Sequence, residues 1–185
     1  MDIFELDRRA LTDLVTLVDG VTDADLDWPT PCAGWAVRDL LRHMNSEHEA
    51  ISEVILKAEV VLEADPRKAC AQAASRWIEA FGGLAADQLV RLPKFDTELP
   101  AQSLLQVHFI DMLTHRWDLA KALAADPALP EDLLAVALPI ATAIPNEGPL
   151  RGPHGYAAPL PTSPTATPTD RLVSALGRSP SWRIS

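Results

Sequence analysis

Apolar residues recur every three or four positions through most of this chain, the spacing that gathers them on one face of an α-helix. Phe4, Leu11, Leu14, Val15 and Val18 predict a first helix over 3–20, with Gly20 at its C-cap. Asp27-Trp-Pro-Thr-Pro-Cys-Ala-Gly-Trp35 interrupts that rhythm with prolines and a glycine, so a loop is expected there. Val37, Leu40, Leu41, Met44, Ile51, Val54, Ile55 and Ala58 predict a second helix over 37–61. A third starts at Pro66, carries Ala69, Ala73, Trp77, Ala80 and Phe81, and stops at Gly82-Gly83, the expected punctuation of proline in the first turn and glycine past the last. Residues 84–99 have no clear period, and Pro93 and Pro100 mark a loop. The fourth long helix falls over 101–124, where Leu104, His108, Asp111, His115, Leu119 and Ala122 share a stripe. A shorter helix is expected over 130–143. No stretch shows the convincing alternation of a half-buried strand. Four long amphipathic helices predict an all-α bundle.

From Ile144 to Asp170 the texture changes to Pro, Gly, Thr and Ser, which cannot build a core. Asp170-Arg-Leu-Val-Ser-Ala-Leu-Gly177 reads as a short capped helix whose Leu172, Val173 and Leu176 need an apolar surface. The expected organisation is therefore a bundle over 1–143, with 144–185 as a strap and docking helix packed on the same domain.

Composition narrows the partners. The 185 residues carry a formal net charge of −10. That balance argues against a nucleic-acid surface, which needs clustered Lys and Arg, and against an anionic membrane. No basic segment precedes an apolar run in signal-peptide fashion, and no apolar stretch is long enough to span a bilayer. A cytoplasmic protein is expected, with Cys32 and Cys70 as free packed thiols. The acidic surface is compatible with a homodimer.

The candidate chemistry lies on the fourth helix. Asp111 and His115 are four residues apart, hence one turn apart on one face, and a buried carboxylate needs a partner. The two side chains can simply hydrogen-bond to each other. Alternatively, His43 on the second helix meets them across the bundle. Two imidazoles and one carboxylate would then form a three-ligand site with an open position, the pattern of catalytic rather than structural zinc. His108 is expected in the core or orienting a ligand, and His48, five residues from His43, at the surface. His154 in the strap is expected outside the site. Glu47, Glu49 and Glu53 read as a solvated helix face, and Asp118 as a cap, a partner of Arg116 or a support for a ligand.

Three segments in order carry a resemblance. Pro31-Cys-Ala-Gly-Trp35-Ala-Val-Arg-Asp-Leu-Leu-Arg-His43, Asp111-Met-Leu-Thr-His115-Arg-Trp-Asp-Leu-Ala120, and the tail from Arg151-Gly-Pro-His-Gly-Tyr156 through Asp170-Arg-Leu-Val-Ser-Ala-Leu-Gly-Arg178-Ser-Pro-Ser-Trp182 resemble the mycothiol-dependent maleylpyruvate isomerase N-terminal-domain family. That family belongs to the DinB-like superfamily of metal-binding four-helix bundles. The resemblance implies a DinB-like fold with a divalent metal held by His43, Asp111 and His115. Zinc is the first expectation, and nickel or another divalent ion also suits such N/O ligation. It further implies a thiol-dependent isomerase or transferase, with mycothiol as co-substrate and a small organic electrophile as partner; the alternative is a non-catalytic metal-binding or interaction bundle. The chain departs from the family twice. The known isomerases have Glu where Asp111 stands, and members often have Thr or Ser where Ala36 stands. Loss of that N-cap hydroxyl should cost roughly 1 kcal/mol.

Overall fold

The computed structural model describes residues 2–92, 96–152 and 155–184. Six α-helices and one small hairpin follow in the order α1 (Ile3–Val18), α2 (Val37–Leu56), α3 (Pro66–Gly82), β1 (Leu89–Leu92), β2 (Thr97–Pro100), α4 (Ala101–Ala122), α5 (Glu131–Ala143) and α6 (Pro168–Ala175). The four long helices form the expected bundle. A single 3-10 turn, Asp25–Asp27, leads into the loop before α2.

Local chemistry fixes the helix starts. Asp2 accepts the Glu5 amide at 2.9 Å, and Asp65 accepts the Arg67 amide with Pro66 in the first turn behind it. Ala36 has no side-chain acceptor to offer, so the start of α2 keeps half of a capping box. Asp39 still reaches back to accept the Ala36 amide at 3.0 Å.

The core is layered around α4. Fifteen of its 22 residues are buried, so it is enclosed on nearly every side. Helix α1 packs along α4 and helix α2 along α3, with α1 also touching α3. Helices α2 and α4 have little direct backbone contact. The seam between them is filled by side chains, many of them polar, and this is where the chemistry lies. Ion pairs bind neighbouring helices at the rim: Arg76 holds Glu49 through two bonds of 2.7 and 2.8 Å, and Arg116 reaches Asp13 at 3.0 Å.

Several expectations are corrected. Residues 89–92 and 97–100 form an antiparallel hairpin, in register from Leu89–Pro100 to Leu92–Thr97, where only a loop was expected. Val90 and Leu92 point inward while Leu89 is exposed, an alternation too short to stand out in the sequence. Helix α2 ends at Leu56 rather than 61 because Lys57 turns into the left-handed region at φ 53°. Glu49 is not on a solvated face but buried against Arg76. Helix α6 starts two residues before Asp170, with Thr167 as its cap.

The C-terminal segment is fastened to the bundle. Leu172 and Leu176 are fully buried in the common core, and Arg151 donates to the Ala157 and Ala175 carbonyls. Gly177 sits at φ +80°, where a Cβ would lie 2.6 Å from that of Ala157. Leu172→Ala is expected to cost about 2–5 kcal/mol. Chemical denaturation should show this as one shifted transition; a separate early transition would mean that the strap unfolds alone.

Candidate functional site

His115 is the centre of the site, buried on α4. Its Nδ1 lies 3.1 Å from Asp118 Oδ2, one turn further along the helix. A carboxylate can only accept, so Nδ1 carries the proton and Nε2 faces away from Asp118. On that side Asp111 Oδ2 lies 3.4 Å from Nε2. The ring of His43, from α2, stands edge-on to that of His115 with centroids 6.0 Å apart, and Trp35 packs on His43 at 4.8 Å. The three candidates from the sequence therefore gather at one place in the α2–α4 seam, with Asp111 and His115 adjacent and His43 one step back.

Behind His115 lies a second set of groups. Asp118 is wholly buried and takes three kinds of partner: His115, the Cys32 thiol at 3.2 Å, and the Arg178 guanidinium at 3.1–3.3 Å. Arg178 also donates to Cys32 Sγ at 3.2 Å. Asp118 thus supports His115 and leaves Arg116 to Asp13. Among the described residues, Cys32, His115 and Asp118 are the trio of potential ligands whose donor atoms all fall within 4.8 Å of one another. Arg178 already supplies the positive charge there, so this trio reads as support for His115. Cys70, in contrast, is buried in α3, where burial pushes its thiol up to about 12, and it has no part in the site.

The electrostatics favour a cation at His115. Burial disfavours its imidazolium, but Asp111, Asp118 and Cys32 outweigh that, and its pKa rises well above the ordinary histidine value. Asp111 moves the other way. Burial opposes its charge, yet His115, His108 and Arg178 hold it well below the usual carboxylate range. Its side chain keeps 29% exposure, so the site has an opening. The buried Tyr156 phenol is near enough to Asp111 that burial and then that carboxylate raise its pKa, although no hydrogen bond closes.

A third group extends deeper into the seam. His48 is buried rather than at the surface, and its Nε2 meets His108 Nε2 at 2.7 Å. His108 Nδ1 bonds to Asp7 on α1, whose other oxygen accepts the Trp77 indole N–H at 2.9 Å. Trp77 stacks on His108 at 3.8 Å. His108 is thus a core histidine that orients His48, not a ligand. His48 could have been placed from its spacing, seven residues after Leu41 and four after Met44 on the buried stripe. His154 lies outside the described residues.

Sequence reasoning assigned no site role to Cys32, Tyr156 or Arg178. Each sits inside one of the three segments quoted for the resemblance, but no local spacing joins the loop, the strap and the tail to α4. The mycothiol maleylpyruvate isomerase N-terminal domain family matches residues 8–120, and the chain belongs to that family. Two uncharacterized proteins of Mycobacterium tuberculosis are each 30% identical to it over 188 aligned positions, covering 97% of this chain and 99% of the relative. Among solved structures, a mycothiol-dependent maleylpyruvate isomerase shares the fold at TM-score 0.60 and 15% identity, over 76% of this chain and 67% of the other. A DinB-like protein of Bacillus subtilis matches at TM-score 0.53 and 13% identity, over 69% and 95%. The fold is that of the DinB-like helical bundles.

Removing the guanidinium from the buried Asp118 should be costly. Arg178→Met is expected to lose roughly 3–5 kcal/mol, because it leaves a buried carboxylate short of its charge partner. Urea unfolding of wild type and variant measures this, and a loss below about 1 kcal/mol would show that the pair contributes little.

Proposed function

We propose that His43, Asp111 and His115 hold a divalent metal ion, zinc first among the candidates. On this reading the protein is a thiol-dependent isomerase or transferase acting on a small electrophile. The observation that carries it is the 3.4 Å separation of His115 Nε2 and Asp111 Oδ2. Two ligands of a tetrahedral zinc ion, at about 2.0–2.2 Å from it, lie about 3.3–3.5 Å apart. The donor chemistry agrees: Asp118 fixes the tautomer that presents Nε2, as the carboxylate behind a ligating histidine does. The shorter Asp111 suits the position because it already meets His115 at that spacing.

The ion would supply Lewis acidity that lowers the pKa of a thiol held at its open position. The chain does the rest. Asp111 and the half-buried His43 form the wall of the opening, and Trp35 backs His43. The Tyr156 phenol, kept protonated, offers a hydrogen-bond donor beside Asp111. The mycothiol-dependent isomerase that shares the fold suggests mycothiol as the thiol. Addition of the thiolate to an electrophilic carbon then permits either isomerisation by reversible addition or stable conjugation. Residues 144–185, which bring Tyr156 and Arg178 to the site, belong on this reading to the same domain as residues 1–143, in a cytoplasmic protein.

Purified without chelator, the protein is expected to hold one divalent ion per chain by elemental analysis, and His115→Ala none. Failure to take up zinc on reconstitution would remove the metal reading. Consumption of mycothiol with a panel of electrophiles should exceed that of His43→Ala by at least tenfold. Metal uptake without such consumption would leave a non-catalytic metal-binding bundle.

The raised His115 pKa fixes the sign of the pH dependence. Below that pKa a proton competes for Nε2, so zinc affinity should fall about tenfold per pH unit on acidification. Competition titrations at pH 6, 7 and 8 read this directly, and a flat profile would show that His115 is not displaced by the ion.

A further inference from the structure

Helices α2 and α4 carry the candidate histidines but have little direct backbone contact, so helix packing alone does not set the distance between His43 and His115. One short stretch of chain bears on both. The loop before α2 brings the Cys32 thiol within 3.2 Å of Asp118 Oδ2, and the same oxygen holds His115 Nδ1 at 3.1 Å. Three residues later that loop lays the half-buried Trp35 ring against His43, with centroids 4.8 Å apart and planes tilted by 56°. Two side chains of one loop thus reach the two helices, one behind His115 and one on His43.

The loop is closed on itself, so the spacing of those two side chains does not follow the helices. Thr30, buried at 4% exposure, is the clasp. Its amide donates to the Trp35 carbonyl at 3.0 Å, and its hydroxyl donates to the same carbonyl at 2.9 Å. The hydroxyl oxygen in turn accepts the Cys32 amide at 3.2 Å. At the tip, the Trp35 amide donates to the Cys32 carbonyl at 3.0 Å. Gly34, third residue of that β-turn, takes a φ of +81°, which a side chain would resist. Where the loop feeds α2, the Val37 amide donates to the Trp28 carbonyl at 2.9 Å. Cys32 and Trp35 are therefore tied to one residue and to each other.

We propose that Trp35 is a positioning residue for His43: the 30–35 loop, seated on Asp118 at Cys32, holds the Trp35 ring where it keeps the His43 imidazole edge-on to His115. This rests on the metal reading above and deepens it. The margin is small. The His43 and His115 centroids lie 6.0 Å apart. Two imidazoles on one tetrahedral ion, with nitrogens about 2.0–2.1 Å from it, have centroids roughly 5 Å apart. His43 is thus within about 1 Å of sharing an ion with His115. Over that distance the orientation of the ring decides whether it ligates, and an aromatic contact restrains ring orientation. Metal affinity and geometry then depend on a side chain that touches no metal. A Trp35 that only packed would change stability and leave both untouched.

The test uses the full chain. Cobalt(II), loaded in place of zinc, reports its ligand geometry through visible absorption that is strong for a four-coordinate ion and weak for a six-coordinate one. Trp35→Leu keeps an apolar side chain and removes the ring. It should lose at least half of that absorption and bind zinc about tenfold more weakly in a chelator competition, while far-ultraviolet circular dichroism stays native. Trp35→Phe restores a ring and should recover both. Thr30→Val leaves every ring in place and loosens only the clasp, so its cobalt spectrum should weaken in the same direction. Wild-type absorption and affinity in folded Trp35→Leu overturn the proposal, as does failure of Trp35→Phe to recover them. If Trp35→Leu does not fold, an unchanged spectrum in Thr30→Val overturns it instead. In metal-free wild type, the His43 ring protons should be shifted upfield by the Trp35 ring; their absence from that region also overturns it. Should wild type take up neither cobalt nor zinc, the metal reading fails and the ligand-positioning role falls with it, whereas normal uptake with an unaltered Trp35→Leu sinks the positioning role alone.

Discussion

A carboxylate with no access to water, Asp118, is the point on which the site depends. Left alone it would take up a proton or unfold its surroundings, because ionised oxygen in a protein interior needs nearby positive charge and donors. Here Arg178 from the tail, Cys32 from the loop before α2 and His115 from its own helix all turn toward it. Three distant parts of the chain are therefore held in place by one ionised group. The orientation of the His115 ring, and with it everything the site could do, follows from that requirement.

The same logic recurs at Asp7. It is buried on α1 and satisfied by Trp77 and His108, and through His108 it reaches His48. Two histidines of α4 are thus each braced by a wholly buried carboxylate, His115 by Asp118 beneath the candidate ligands and His108 by Asp7 deeper in. Few direct backbone contacts join α2 and α4. An apolar seam of that kind would be free to close by repacking. A seam filled with oriented polar groups cannot close without leaving them unpaired, so the helices stay apart and the opening persists. The polar groups that look costly for stability are what keep the two helices apart.

The legibility of this molecule follows its periodicity. The four long helices were readable because their apolar stripes extend over many turns. The hairpin was not, since Leu89-Val-Arg-Leu92 offers a single cycle and a half of alternation. The meeting of Asp111 with His115 was readable from their spacing on one helix, and the approach of His43 from the pairing of helices that the bundle implies. His48 was misplaced by measuring it against His43 instead of against the stripe of Leu41 and Met44. Arg178, Tyr156 and Cys32 could not be placed by spacing at all. Their partners lie in other elements, and only the folded chain brings a cation of the tail to a carboxylate of α4.

That arrangement has a consequence for biosynthesis. Cys32 and Arg178 are separated by 146 positions in the chain, and Asp118 and Arg178 by 60. A nascent chain that has completed α4 already displays His43, Asp111 and His115, but Asp118 still lacks its guanidinium. Until the tail emerges and docks, the carboxylate that orients His115 lacks its guanidinium partner. The ribosome therefore delivers the histidines long before Arg178, and the ion pair behind His115 closes only once the tail docks on the bundle.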